Sequence, residues 1–147
     1  MYYILTDKSP KRKRFFYRVR SNEPTLHEFI TSKKYRIVDY TALEGIACPC
    51  GTARRGFYDE PGFPGTLHRT DIDRTARPHY HKVMTEVYYI ISCEVGSVMC
   101  LNDDIIPLYD EMAIYIPPDT VHCLEGKAKV LIVALPKFDP NDEFEAE

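Results

Sequence analysis

From Arg36 onward the apolar positions fall in short runs of Val, Ile, Tyr and Leu, each stopped by Gly, Pro, Asn or Asp. These runs predict strands at Arg36–Tyr40, Thr66–Ile72, Pro78–Lys82, Glu86–Cys93, Ser97–Leu101, Met112–Ile116, Val121–Leu124 and Lys129–Leu135. Asn102-Asp103 reads as a hairpin turn, and Glu125-Gly126-Lys127 as another. Many short strands with tight turns between them predict a small antiparallel sandwich or barrel. Before Arg36 the period changes. Leu26, Phe29 and Ile30 share a helical face, Pro24 suits a first turn, and Thr25-x-x-Glu28 has the form of a capping box. Lys33 and Lys34 suit the negative pole of such a helix, so one short helix is expected over residues 24–33. The clusters Tyr2 to Leu5 and Phe15 to Val19 are candidate edge strands. The expected organisation is an N-terminal extension with a short helix (1–35), an all-β domain (36–138) and a loose acidic tail (139–147).

A chain of 147 residues with 44% apolar and 28% charged content suits one globular domain. No apolar run approaches the ~18–20 residues of a membrane span, and Met1 to Arg20 is too basic for a signal peptide, so a soluble, cytoplasmic protein is expected. The five cysteines are odd in number and contain no C-x2-C pair, which favours reduced thiols over a disulfide framework or zinc ribbon. Charge is divided unevenly. Residues 1–36 carry ten Lys and Arg against three Asp and Glu, whereas the remainder carries nine against nineteen. The run Lys11-Arg12-Lys13-Arg14 could meet phosphates, but no base-reading element accompanies it. A solvated basic arm is the expectation, and nucleic acid is not an expected partner.

Candidate chemistry gathers at His79, His81, Glu86 and His122. On a strand, residues i and i+2 face the same way, so His79 and His81 project together, whereas on a helix they would diverge. Lys82 to Thr85 is long enough for a turn that brings Glu86 beside them, and Pro117-Pro118-Asp119-Thr120 can deliver His122 from a distant strand. Three imidazoles and a carboxylate converging in a barrel form a site for one divalent ion. The donor set suits Fe, Mn, Ni, Cu or Zn without choosing among them.

These residues resemble the two motifs of the cupin superfamily. Asp73 through His79, His81 and Glu86 to Cys93 follows G-x5-H-x-H-x3,4-E-x6-G in spacing. Glu111 through Pro117, Asp119 and His122 to Gly126 follows G-x5-P-x-G-x2-H-x3-N. The resemblance covers residues 66–135 and implies a double-stranded β-helix, a jelly-roll barrel, with the four named side chains as metal ligands. Asp73, Cys93, Glu111 and Asp119 replace the motif glycines. Asp73 and Asp119 are expected to tolerate left-handed backbone, and Gly96 could serve a turn shifted from Cys93. Ala47-Cys48-Pro49-Cys50-Gly51, Arg54-Arg55-Gly56-Phe57 and Pro136-Lys137-Phe138-Asp139-Pro140 are similar to a subgroup of small single-domain cupins, to which residues 1–35 look like an addition.

Around the four ligands, His68 either faces the bore as an acid/base group or serves structurally, and Tyr88 either donates to a substrate or packs the barrel. Tyr88 and Ile90 share the face of Glu86. Arg54 and Arg55 are either an anion fork or a surface pair, and Cys48-Pro49-Cys50 is read as a turn before it is read as half a soft-metal site. Cys123, adjacent to His122, should point away from the ion. Resemblance to metal-dependent cupins implies a dioxygenase-like or isomerase-like enzyme acting on a small oxygenated compound. A non-catalytic cupin that binds a small ligand through its metal is the alternative. Small cupins also suggest a homodimer.

Overall fold

The computed structural model describes residues 35–146. The helix expected at 24–33, the two early apolar clusters and the basic run lie outside the described residues. Among the described residues, eleven strands form two antiparallel sheets, the jelly roll that the cupin resemblance implies. In chain order they are β1 (Ile46–Cys48), β2 (Gly51–Gly56), β3 (Thr66–Ile72), β4 (His79–Tyr80), β5 (Thr85–Cys93), β6 (Val98–Leu101), β7 (Asp104–Pro107), β8 (Ala113–Ile116), β9 (His122–Glu125), β10 (Ala128–Leu135) and β11 (Phe144–Glu145). One sheet runs β1-β2-β3-β10-β5-β8 and the other β11-β4-β9-β6-β7.

The two-residue period sets the core. On β3, Thr66, His68, Thr70 and Ile72 are buried; on β5, Glu86, Tyr88 and Ile90; on β10, Ala128, Val130, Ile132 and Ala134. Ile72, Ile90, Val130 and Ile132 meet Met99 and Leu124 of the facing sheet and close one end of the sandwich with apolar packing. Thr66, His68 and Glu86 stand on the same inward faces, so the polar part of the bore is built on the strands that carry the core.

Four expectations need correction. Residues Arg36–Tyr40 form no strand. The Asp39 carboxylate accepts from the Thr41 N–H at 2.9 Å and from its hydroxyl, which turns the chain, and the Tyr40 hydroxyl donates to the Leu67 carbonyl at 2.8 Å. The strand expected at Pro78–Lys82 shrinks to His79–Tyr80, because the N–H groups of Lys82, Val83 and Met84 go to the Asp142 carboxylate and not to a ladder. Glu125-Gly126-Lys127 turns the chain, with Gly126 at φ +97°, but it passes from one sheet to the other and is no hairpin. The C-terminal residues are not a loose end. Pro140–Asp142 is a 3-10 turn capped by Asp139, and β11 pairs with β4.

The motif glycine positions divide. Asp119 (φ +61°) takes left-handed backbone as expected, Glu111 (φ +70°) does so as well, and Gly96 (φ +91°) supplies the turn after Cys93. Asp73 is not left-handed. Among the described residues no helix is long and apolar enough to cross a membrane.

Candidate metal centre

The four ligand candidates come from both sheets. His79 on β4 lies directly opposite His122 on β9, and His81 follows β4 by one residue. Glu86, near the start of β5, reaches in from the facing sheet between Ala134 and Ile116. The turn between β8 and β9 is tied to this group, since the Asp119 N–H donates to the His81 carbonyl at 2.7 Å. One donor atom from each of His79, His81, Glu86 and His122 lies within 4.8 Å of the others. The structure thus brings these four side chains together.

Their hydrogen bonds fix which atoms face inward. Nδ1 of His79 donates to the Arg77 carbonyl (3.0 Å), Nδ1 of His81 to the Asp142 carbonyl (2.7 Å) and Nδ1 of His122 to the Thr120 carbonyl (3.0 Å). A carbonyl can only accept, so each Nδ1 carries a proton and each Nε2 is left as the inward atom. This is the outer support that orients metal-binding histidines. His122 Nε2 lies 3.1 Å from Glu86 Oε2; His81 Nε2 lies 3.6 Å from the same oxygen and has no hydrogen-bond partner although buried. A buried, unpartnered imidazole nitrogen beside a buried carboxylate fits a site that could hold a metal ion.

Electrostatics follow from burial and pairing. Burial pushes the Glu86 carboxyl up, but His122 and His81 beside it outweigh that and hold it at about 2. Burial lowers His81 as well, and its contacts with Glu86 and the Asp142 carbonyl more than offset the effect, leaving it raised. His79 is lowered, by burial first and by His122 second.

The centre opens into a cavity of about 140 Å³. His68 faces it: buried, with Nε2 2.8 Å from the Thr66 hydroxyl and edge-on to Phe138, and lowered to about 4 by burial and by Arg55. Tyr88 also lines it, and burial raises its phenol well above the ordinary value. The two arginines separate. Arg54 turns to Asp71 (3.3 Å), whereas Arg55 lies 4.2 Å over the Phe138 ring in the cavity wall, with a buried Nε that has no hydrogen-bond partner. Cys48-Pro49-Cys50 is the turn it was expected to be, and both cysteines line the cavity. Cys123 pairs across strands with Cys100.

Asp142 is the functional residue that sequence reading missed. It holds the Lys82–Met84 loop between His81 and Glu86 through its carboxylate and orients His81 through its carbonyl. Asp139-Pro140, a capping residue followed by proline, signals the helical turn that carries Asp142 but not the contact Asp142 makes.

A protein from Planctomyces limnophilus is 34% identical, with 75% of this chain and 96% of that one covered at a TM-score of 0.73. The chain belongs to the same family as that protein. More distant structures share its cupin fold. Pac13 of Streptomyces, described as a nucleoside dehydratase and solved with uridine, is 20% identical over 78% of this chain and 92% of that one, with a TM-score of 0.65. Oxalate decarboxylase from Bacillus subtilis is 18% identical over 74% of this chain and 31% of that one, with a TM-score of 0.61. No family model matches the chain, and no curated protein matches it.

Proposed function

We propose that this cupin binds one divalent ion through His79, His81, Glu86 and His122 and acts as a small metal-dependent enzyme on an oxygenated compound, in a dioxygenase-like or isomerase-like reaction. The observation that carries the reading is the trio of Nδ1–H groups held by backbone carbonyls, which leaves three Nε2 atoms and Glu86 around one point. Iron, manganese, nickel, copper and zinc all accept such a set. Held by these four side chains, the ion would supply a Lewis-acid or oxygen-activating centre.

The chain's own residues then bind and orient the substrate. Tyr88, whose phenol stays protonated, donates a hydrogen bond to a substrate oxygen. Arg55 offers its unpartnered Nε–H and its charge to a carboxylate or similar anionic oxygen group. His68 is a weak base at about 4, so it holds the substrate as a neutral hydrogen-bonding group and does not shuttle protons near neutral pH. The size of the cavity suits a small compound. The test is anaerobic metal loading followed by oxygen-uptake and product screens with catechols, thiols and keto acids. Turnover that is lost in His81→Ala supports the enzyme. Binding without turnover in every metal form favours the non-catalytic reading.

We propose a cytoplasmic location, for which the odd number of cysteines without a C-x2-C pair is the support. We also propose a homodimer. Ile105 on β7 and Tyr115 on β8 are exposed apolar side chains on the outermost strands of the two sheets, which suits pairing at an edge. Sedimentation as a clean monomer at tens of micromolar, an order-of-magnitude working range, would overturn that reading.

A further inference from the structure

The β1–β2 hairpin turns through Cys48-Pro49-Cys50, and the two sulfurs are 3.2 Å apart, with one thiol donating to the other. Residues two apart across trans peptides stand at most ~7 Å apart at Cα, so a turn brings them inside the ~4.4–6.8 Å that a disulfide requires. The turn is anchored. The Cys50 carbonyl accepts from the Asp73 N–H at 3.1 Å, and Gly51, at φ +154°, lies so close to the Asp71 carbonyl that a Cβ there would sit 2.1 Å from its oxygen. Only about 1 Å of further approach separates the two sulfurs from the length of a disulfide bond. Both cysteines are half-buried in the wall of the cavity, next to an exposed Pro49. The metal reading leaves them without a role.

We propose that Cys48 and Cys50 are a redox-active dithiol that exchanges with small disulfides of the glutathione type. The pair is polarised. Cys50 packs against the hydrophobic core and Cys48 does not; the contact with Cys50, the N–H groups of Cys50 and Gly51 and the charge of Arg55 lower Cys48 to about 6. Cys50 is raised by the same contact and by burial. Cys48 is therefore the attacking thiolate and Cys50 the resolving thiol. The Cys48 thiolate attacks one sulfur of R–S–S–R, forming a mixed disulfide and releasing RS⁻, which takes up a proton. Cys50 then loses its proton and attacks Cys48 Sγ, so the Cys48–Cys50 bond forms and the second RS⁻ leaves as RSH. Two electrons pass from the protein dithiol to the small disulfide, which becomes two thiols.

The full-length protein as purified, reduced and then incubated with oxidised glutathione, tests this by peptide mass analysis. The expected result is a peptide spanning both cysteines that has lost two hydrogens, reversed by reduced glutathione. Cys50→Ser should accumulate a glutathione adduct on Cys48, and Cys48→Ser should form an adduct on Cys50 at least about tenfold more slowly, as expected for a thiol with little thiolate. A wild-type peptide that stays reduced, one that stops at an adduct without closing the internal bond, or equal trapping in the two variants would overturn the assignment. Because no step involves the four-ligand centre, the result is independent of whether that centre binds metal.

Discussion

Replacing Asp142 by Ala removes a clamp that works on both sides of the metal centre. Its carboxylate accepts from the N–H groups of Lys82 (3.0 Å), Val83 (3.1 Å) and Met84 (2.8 Å), the loop that separates His81 from Glu86. Lys82 and Val83 are exposed, so water replaces the lost acceptor there at little cost. Met84 is 2% exposed, and leaving its N–H unsatisfied costs about 1–3 kcal/mol. Metal affinity should suffer too, because the Asp142 carbonyl that fixes the His81 tautomer belongs to the same 3-10 turn and shifts with it. Loss of such outer support weakens a metal site by about 10–100-fold. Asp142→Asn, which keeps one acceptor oxygen, should fall between the variant and wild type. The pH dependence has a definite sign. Burial raises the Asp142 carboxyl, but the three N–H groups outweigh it and hold it below its ordinary value. The clamp is thus fully present above the unfolded carboxyl range and is lost as pH falls through the lowered one. Urea unfolding of the metal-free protein and competition with a chromophoric chelator read the two effects. Asp142→Ala with wild-type stability and wild-type affinity would refute the reasoning.

Other substitutions and conditions bear on separate parts of the account. His68, lowered to about 4, stays neutral in the fold while the unfolded chain protonates near 6.5. Stability should therefore fall by up to about 3 kcal/mol as pH drops from 6.5 to 4, and His68→Gln should flatten that part of the urea-unfolding profile; an unchanged slope contradicts the burial argument. Gly51→Ala places a Cβ 2.1 Å from the Asp71 carbonyl oxygen and should destabilise by about 1–3 kcal/mol, read as a lower denaturation midpoint. Metal affinity should fall steeply below pH ~6, since imidazoles must shed protons to coordinate, while circular dichroism stays native; unfolding that coincides with metal release would make the ion structural.

The sequence is most informative where burial alternates. Thr66–Ile72 begins and ends where β3 does, and Lys129–Leu135 misses β10 by one residue, because each strand has one face on the core. The convergence of His79, His81, Glu86 and His122 was legible for the same reason, since a two-residue period and two turns suffice to aim them inward. β2 was not, because Gly51-Thr52-Ala53-Arg54-Arg55-Gly56 lacks the branched apolar residues that mark a strand and is held by pairing with β3. β7 was missed because Ile105 and Ile106 lie on an exposed edge between Asp104 and Pro107. The loop clamp was invisible because Asp142 acts on residues about sixty positions earlier, a contact that no local pattern encodes. The split between Arg54 and Arg55 was foreseeable from strand alternation, but which of the two turned inward depended on a β2 that had not been recognised.

Metal stoichiometry is the direct test of the central claim. Full-length protein loaded with Fe(II), Mn(II), Ni(II), Cu(II) or Zn(II), desalted and measured by elemental analysis should retain one ion per chain, with X-ray absorption showing N and O donors at ~2.0–2.2 Å. His81→Ala and His122→Ala should each lose it while keeping a native circular dichroism spectrum. Wild-type protein that retains none of these ions, or a folded His122→Ala that retains as much as wild type, would contradict the account.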